Sequence, residues 1–70
     1  MVRIFTASKQ VGKRIRSLRR QRGISQERLA FESGLNRAYV GYIERAERNP
    51  TLETIDKIAK VLRVSPKDLI

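Results

Sequence analysis

The chain has 70 residues, 16 Lys and Arg against 7 Asp and Glu, and a formal net charge of +9. With neither cysteine nor histidine, it has no disulfide framework, no thiolate metal site and no access to the commonest general base. One small domain over residues 1–70 with a modest core is expected. No apolar run is long enough to span a bilayer, and no signal-peptide pattern stands at the start, so the expected location is cytoplasmic with no membrane partner.

The first seven residues are expected to be extended and flexible. The first helix is expected from about Ser8 or Lys9 to Arg22. Val11, Ile15, Leu18 and the stem of Arg22 share one stripe, and Lys9, Lys13, Arg16 and Arg20 lie opposite. No acidic residue precedes Glu27, whereas Arg3, Lys9, Lys13, Arg14, Arg16, Arg19, Arg20 and Arg22 do. Such a field attracts polyanions; nucleic acid, an anionic membrane surface and an acidic protein all fit it. Gly23 suits a left-handed helix end, with Ile24 as its hydrophobic contact.

Ser25 is a good N-cap for the second helix, and Glu27 suits the dipole in its first turn. This helix carries Leu29 and Ala30 and ends near Ser33. Gly34 is the turn, Asn36 the next N-cap, and the third helix is expected from Arg37 to about Arg45. Asn49-Pro50 breaks the chain. Thr51 caps a fourth helix with the stripe Leu52, Ile55, Ile58, Ala59 and Leu62. Ser65 caps a short last helix, with Pro66 at its first position and Asp68 at the capping-box position. No segment alternates long enough to argue a sheet, so the fold class is all-α, a compact bundle of five helices.

The second and third helices are short, with only Gly34-Leu35-Asn36 between them. Ala30 is small where the third helix must approach. Gly34, four residues later, takes positive φ without a Cβ penalty, and Val40 and Ile43 face inward. This spacing is the constraint set of a helix-turn-helix.

The stretch from Gly12 to Asp68 resembles the Cro/repressor-type (XRE) helix-turn-helix family. The segments Arg14-Ile15-Arg16-Ser17-Leu18-Arg19, Arg22-Gly23-Ile24-Ser25-Gln26-Glu27 and Ile43-Glu44-Arg45 carry the likeness. Within that family, Asn36 to Arg45 followed by Glu47-Arg48-Asn49-Pro50-Thr51-Leu52 looks most like the controller proteins of restriction–modification systems. A phage or plasmid repressor, or an antitoxin-type regulator of the same fold, is the alternative. The resemblance implies a lambda-repressor-like fold, a homodimer on a palindromic operator in double-stranded DNA, and the third helix in the major groove. It also implies that Gln26 holds a phosphate, that Arg19 pairs with Glu44, and that transcription is both activated and repressed through two sites. Many relatives have glycine where this chain has Ala46; either the third helix runs on or the turn differs.

Geometry assigns residues independently. At about 100° per residue, Ala38, Gly41, Tyr42 and Arg45 point away from the inner face of the third helix, and Arg37 and Tyr39 flank. Arg37 suits a guanine O6/N7 pair, and Ala38 a thymine methyl. Ala38 and Gly41 have little bulk, so the helix can seat deeply. Tyr39 or Tyr42 can donate to a phosphate or simply pack. Arg48 falls beside the backbone, and Asn36 stands at the helix start. Seven carboxylates without histidine, cysteine or a phosphate-cradling loop do not make an enzyme, and no cofactor or metal is expected. Contact with RNA polymerase would need an exposed patch, for which Glu27 and Glu32 are the candidates. One recognition helix reads about four or five base pairs, so a two-fold dimer is expected with its helices about 34 Å apart. With the second and third helices occupied and the first helix basic, the interface falls to Val61, Val64, Leu69 and Ile70.

Overall fold

The computed structural model describes the backbone of residues 2–70 and the side chains of residues 9–70. In chain order it forms α1 (Val2–Gln21), α2 (Gln26–Ser33), α3 (Arg37–Glu44), α4 (Leu52–Leu62) and a single 3-10 turn, Pro66–Asp68. No strand occurs among the described residues. The expected fifth helix is thus one turn only. Asp68 folds back to accept the Ser65 backbone N–H at 2.9 Å, and Leu69 then leaves the turn for the core, where it is wholly buried.

Two boundaries differ from expectation. α1 starts at Val2 rather than at Ser8 or Lys9, since no glycine or proline stands between Val2 and Lys9. The expectation of a flexible start concerns Met1, which lies outside the described residues, and residues 2–7, whose side chains do. At the other end α1 stops at Gln21, and Arg22 is exposed rather than part of the inner stripe.

The starts of α2, α3 and α4 follow the cap residues. The Ser25 hydroxyl accepts from the Arg28 N–H at 3.0 Å, Asn36 Oδ1 from Ala38 at 2.7 Å, and Thr51 Oγ1 from Thr54 at 3.0 Å. Each satisfies a backbone donor that the first turn leaves without a helical partner. The helix ends share one device as well. Gly23, Gly34, Ala46 and Arg63 are left-handed, with φ of 65°, 73°, 60° and 60°. Beyond each, the next N–H reaches back to the last turn: Ile24 to Arg19 O, Leu35 to Ala30 O, Glu47 to Tyr42 O and Val64 to Ala59 O, at 2.8–3.0 Å. Ala46 therefore keeps the glycine-type turn, at a conformational cost of about 1 kcal/mol. Arg63 bears the same cost.

The core comprises Val11 and Ile15 of α1, Leu29 and Ala30 of α2, Val40 and Ile43 of α3, and Ile55, Ile58, Ala59 and Leu62 of α4, closed by Leu69. Leu52, expected on the α4 stripe, is 75% exposed; it lies one turn before Ile55, past the edge of the core. Leu69, expected in an uncovered patch, is 0% exposed and belongs to the core instead. α1 packs on α3 and α4, while α2 packs on α3 and α4.

The tightest approach is at Gly12. A Cβ there would stand 2.6 Å from the carbonyl oxygen of Ile43 and 2.8 Å from that of Glu44. Only a residue without a side chain lets α1 touch the C-terminal backbone of α3. We expect Gly12→Ala to lower stability by about 1–3 kcal/mol through forced displacement of α1. Ala46→Gly and Arg63→Gly should each raise it by about 1 kcal/mol. Thermal denaturation checks all three; a Gly12→Ala protein with an unshifted Tm would show that the helix crossing has slack.

Candidate nucleic-acid interface

α3 has eight residues, too few to be stable alone. Its position is set by what it touches. Val40 and Ile43 anchor it from inside, at 0% and 1% exposure. Its end is anchored by Glu44, which is buried and lies at the meeting point of three elements. The Arg19 guanidinium of α1 grips its carboxylate with two bonds, Nε to Oε2 at 2.7 Å and Nη2 to Oε1 at 3.0 Å. Arg19 Nη1 donates to the Ile24 carbonyl at 2.9 Å. Gln26, the first residue of α2, donates from Nε2 to Glu44 Oε1 at 3.0 Å. A charge pair this deep is tolerable only when its donors and acceptors are met, and among the described residues no buried side-chain polar atom lacks a partner.

This network revises the reading of Gln26. Its side chain was expected to hold a phosphate; one of its amide N–H groups is already engaged by Glu44. The second amide N–H remains, at the N-terminus of α2, where backbone N–H groups and the dipole suit an anion.

The outward face of α3 is varied. Arg37 and Ala38 are exposed on the first turn, and Arg37 has no ion pair among the described residues. Asn36 is exposed and spends its carbonyl oxygen on the cap, which leaves its amide N–H groups for other partners. Tyr39 is half-buried and packs against the core, so its ring is partly structural. Gly41, expected outward, is buried: the Arg45 guanidinium lies over it, with Nη1 3.1 Å from where a Cβ would stand. Arg45 Cζ is 5.5 Å from the Tyr42 ring centroid and Arg48 Cζ is 5.3 Å from it, so the ring braces two guanidiniums. Arg45 also donates to Glu47, Nε to Oε2 at 3.0 Å and Nη2 to Oε1 at 3.3 Å. That hydrogen bond holds the Glu47 carboxyl below the usual carboxylate range. Sequence reasoning gave Glu47 no role beyond the family resemblance, although its place two residues after Arg45, across a suspected turn, was a signal for the pair.

The candidate site therefore comprises a helix N-terminus at Gln26, Arg37 with no ion pair among the described residues, and a cluster of two arginines about Tyr42. A helix-turn-helix family model matches residues 15–69. The chain belongs to the helix-turn-helix family. It is 48% identical over 60 residues to the control protein C.BamHI of Bacillus amyloliquefaciens, across 84% of this chain and 74% of that protein. It is also 48% identical over 56 residues to the control protein C.SmaI of Serratia marcescens, across 80% of this chain and 67% of that one. The crystal structure of the restriction-modification controller protein C.AhdI from Aeromonas hydrophila superposes with a TM-score of 0.87 at 48% identity, over 90% of this chain and 96% of that one. This chain is a DNA-binding transcriptional regulator with a lambda-repressor-like fold, and its family is one of regulators rather than enzymes. Among the described residues, no helix is long and apolar enough to cross a membrane.

The Arg19–Glu44 pair has a direct consequence for stability. Removing one partner leaves the other charge buried, so Arg19→Ala or Glu44→Ala should each cost roughly 3 kcal/mol or more. Calorimetry of the two variants checks this. Unchanged melting in both would mean that water takes the missing partner's place at no cost.

Proposed function

We propose that this protein is a controller of a restriction–modification system, acting in the cytoplasm on its own operator as a homodimer. The observation that carries the DNA reading is Arg37, exposed and without an ion pair among the described residues, at the start of α3 beside the small Ala38. A helix with that profile can enter the major groove and present its guanidinium to guanine O6 and N7. Gln26, Tyr42, Arg45 and Arg48 stand around it as phosphate donors, with Asn36 and Tyr39 at the margin. The narrower reading, as a controller, is supported by 48% identity to proteins named as such over most of their length.

The dimer is proposed to form from the end of α4 and the C-terminus. Val61 and Val64 are half-buried and Ile70 is 54% exposed. Val64 also lines a shallow, mostly apolar groove with Arg14, Ser17, Leu18 and Asp68. Arg14 donates to the Ile70 carbonyl, which places Ile70 beside α1. Leu69 supports this surface from beneath and is no part of it. Contact with RNA polymerase is proposed for the outer face of α2. There Glu32 is held by Arg28 at 2.7 Å, so Glu27 and the 85% exposed Phe31 are the better candidates.

Selection of bound duplexes from a random pool, followed by affinity measurement, tests the reading. A single palindromic site should emerge, and log affinity should fall steeply with log salt. Arg37→Ala should cost roughly 1–3 kcal/mol on that site and relax preference at one base pair, while Gln26→Ala weakens all sequences more evenly. Enrichment of no duplex, or an Arg37→Ala site identical to the parent's, would count against it. Sedimentation of a Val64→Asp, Ile70→Asp protein should show a monomer; a dimer that persisted would move the interface elsewhere.

A further inference from the structure

We propose that Glu47 is a built-in competitor for the DNA: its carboxylate holds the Nε–Nη2 edge of the Arg45 guanidinium in the free protein, so a phosphate must displace it to take that edge. This rests on the DNA-binding reading above and adds to it a residue that limits affinity.

The geometry is that of a substitute anion. Glu47 accepts two bonds from one guanidinium edge, at 3.0 and 3.3 Å, which is the fork by which arginine also takes a phosphate. The guanidinium is folded back along the outward face of α3, over Gly41 and against the Tyr42 ring. A side chain at position 41 would crowd it. The carboxylate comes within reach because Ala46 is left-handed, with φ of 60°, and the Glu47 N–H closes on the Tyr42 carbonyl at 2.8 Å. Conformational cost is thus incurred at the one turn that sets a negative charge at the DNA-facing end of a strongly basic chain.

The grip is weak enough to exchange. The two side chains are 55% and 52% exposed, and a pair in that setting contributes little net stability. The consequence is in binding. Each protomer that docks exchanges Arg45–Glu47 for Arg45–phosphate and leaves a freed carboxylate beside the backbone. The gain at this contact is cut for every sequence alike, and the count of released counterions falls by about one. Sequence-independent affinity is held down, while the base contact expected of Arg37 is untouched.

Two duplexes of equal length serve as probes: one selected from a random pool by the wild-type protein, and one of random sequence. Affinities are measured between about 50 and 200 mM salt. Glu47→Gln should tighten binding to both by about two- to fivefold and steepen the log–log salt slope by about 0.9 per protomer. In an Arg45→Gln background the same change should do much less, since only the repulsion between carboxylate and phosphate then remains to be relieved. Both side chains are exposed, so unshifted melting curves are expected for the variants. The proposal is overturned if Glu47→Gln leaves affinity and slope unchanged while the wild type binds. It is equally overturned if the gain persists undiminished without Arg45, since Glu47 would then act only by repelling phosphate. A wild type that binds neither duplex would overturn the DNA-binding reading as well.

Discussion

The placement of the interface depends on the buried carboxylate of Glu44. Desolvating a charge costs several kcal/mol, and here the cost is met by a fixed set of partners. Arg19 brings α1, its bond to Ile24 brings the α1–α2 turn, and Gln26 brings the start of α2. An apolar contact could slide by an ångström with little loss, but two parallel N–H···O bonds could not. The network therefore holds the C-terminal end of α3 in register with the N-terminus of α2. Both ends carry phosphate donors in the proposed function, and Arg37 stands between them at the start of α3. Gly12 allows the pair to form by bringing α1 onto the Ile43 and Glu44 backbone.

Much of this could be read in the chain itself, for identifiable reasons. Ser25, Asn36 and Thr51 marked helix starts because short polar side chains compete for backbone N–H groups. Gly23 and Gly34 marked two helix ends because glycine alone is free at positive φ. The other two ends, at Ala46 and Arg63, use the same closure without the same residue. Ala46 was noticeable only against the glycine of relatives, and Arg63 gave no signal. Leu69 was misplaced because one apolar residue after a capped turn fits a dimer patch and a core equally well. Only the packing of α4 against the turn decides between them. Gln26 was read by position alone, which cannot reveal that an amide is already engaged by a carboxylate eighteen residues away.

The outer face of α3 was legible as a surface and less so as a set of conformations. Periodicity separated Val40 and Ile43 from Arg37, Ala38, Tyr42 and Arg45. It could not show that Arg45 folds over Gly41 or that Tyr42 braces two guanidiniums, since those depend on rotamers and on a turn with an unusual residue.

An eight-residue recognition helix with negligible stability of its own has one further implication. Every interaction that holds α3 comes from its inner face or its ends: Val40 and Ile43 within, Asn36 at the start, Glu44 and the Ala46 turn at the finish. Arg37 and Ala38 contribute almost nothing to that list. Residues that would read the bases can thus be exchanged without weakening the fold. Gly41 is the exception, because Arg45 lies on it, and so is Tyr39, because its ring packs on the core. On the proposed assignment, the separation between what folds this domain and what chooses its DNA is sharp at the N-terminal turn of α3 and blurred toward its C-terminal end. If Arg37 and Ala38 read the bases as proposed, base preference can change most freely where the helix is least needed for stability.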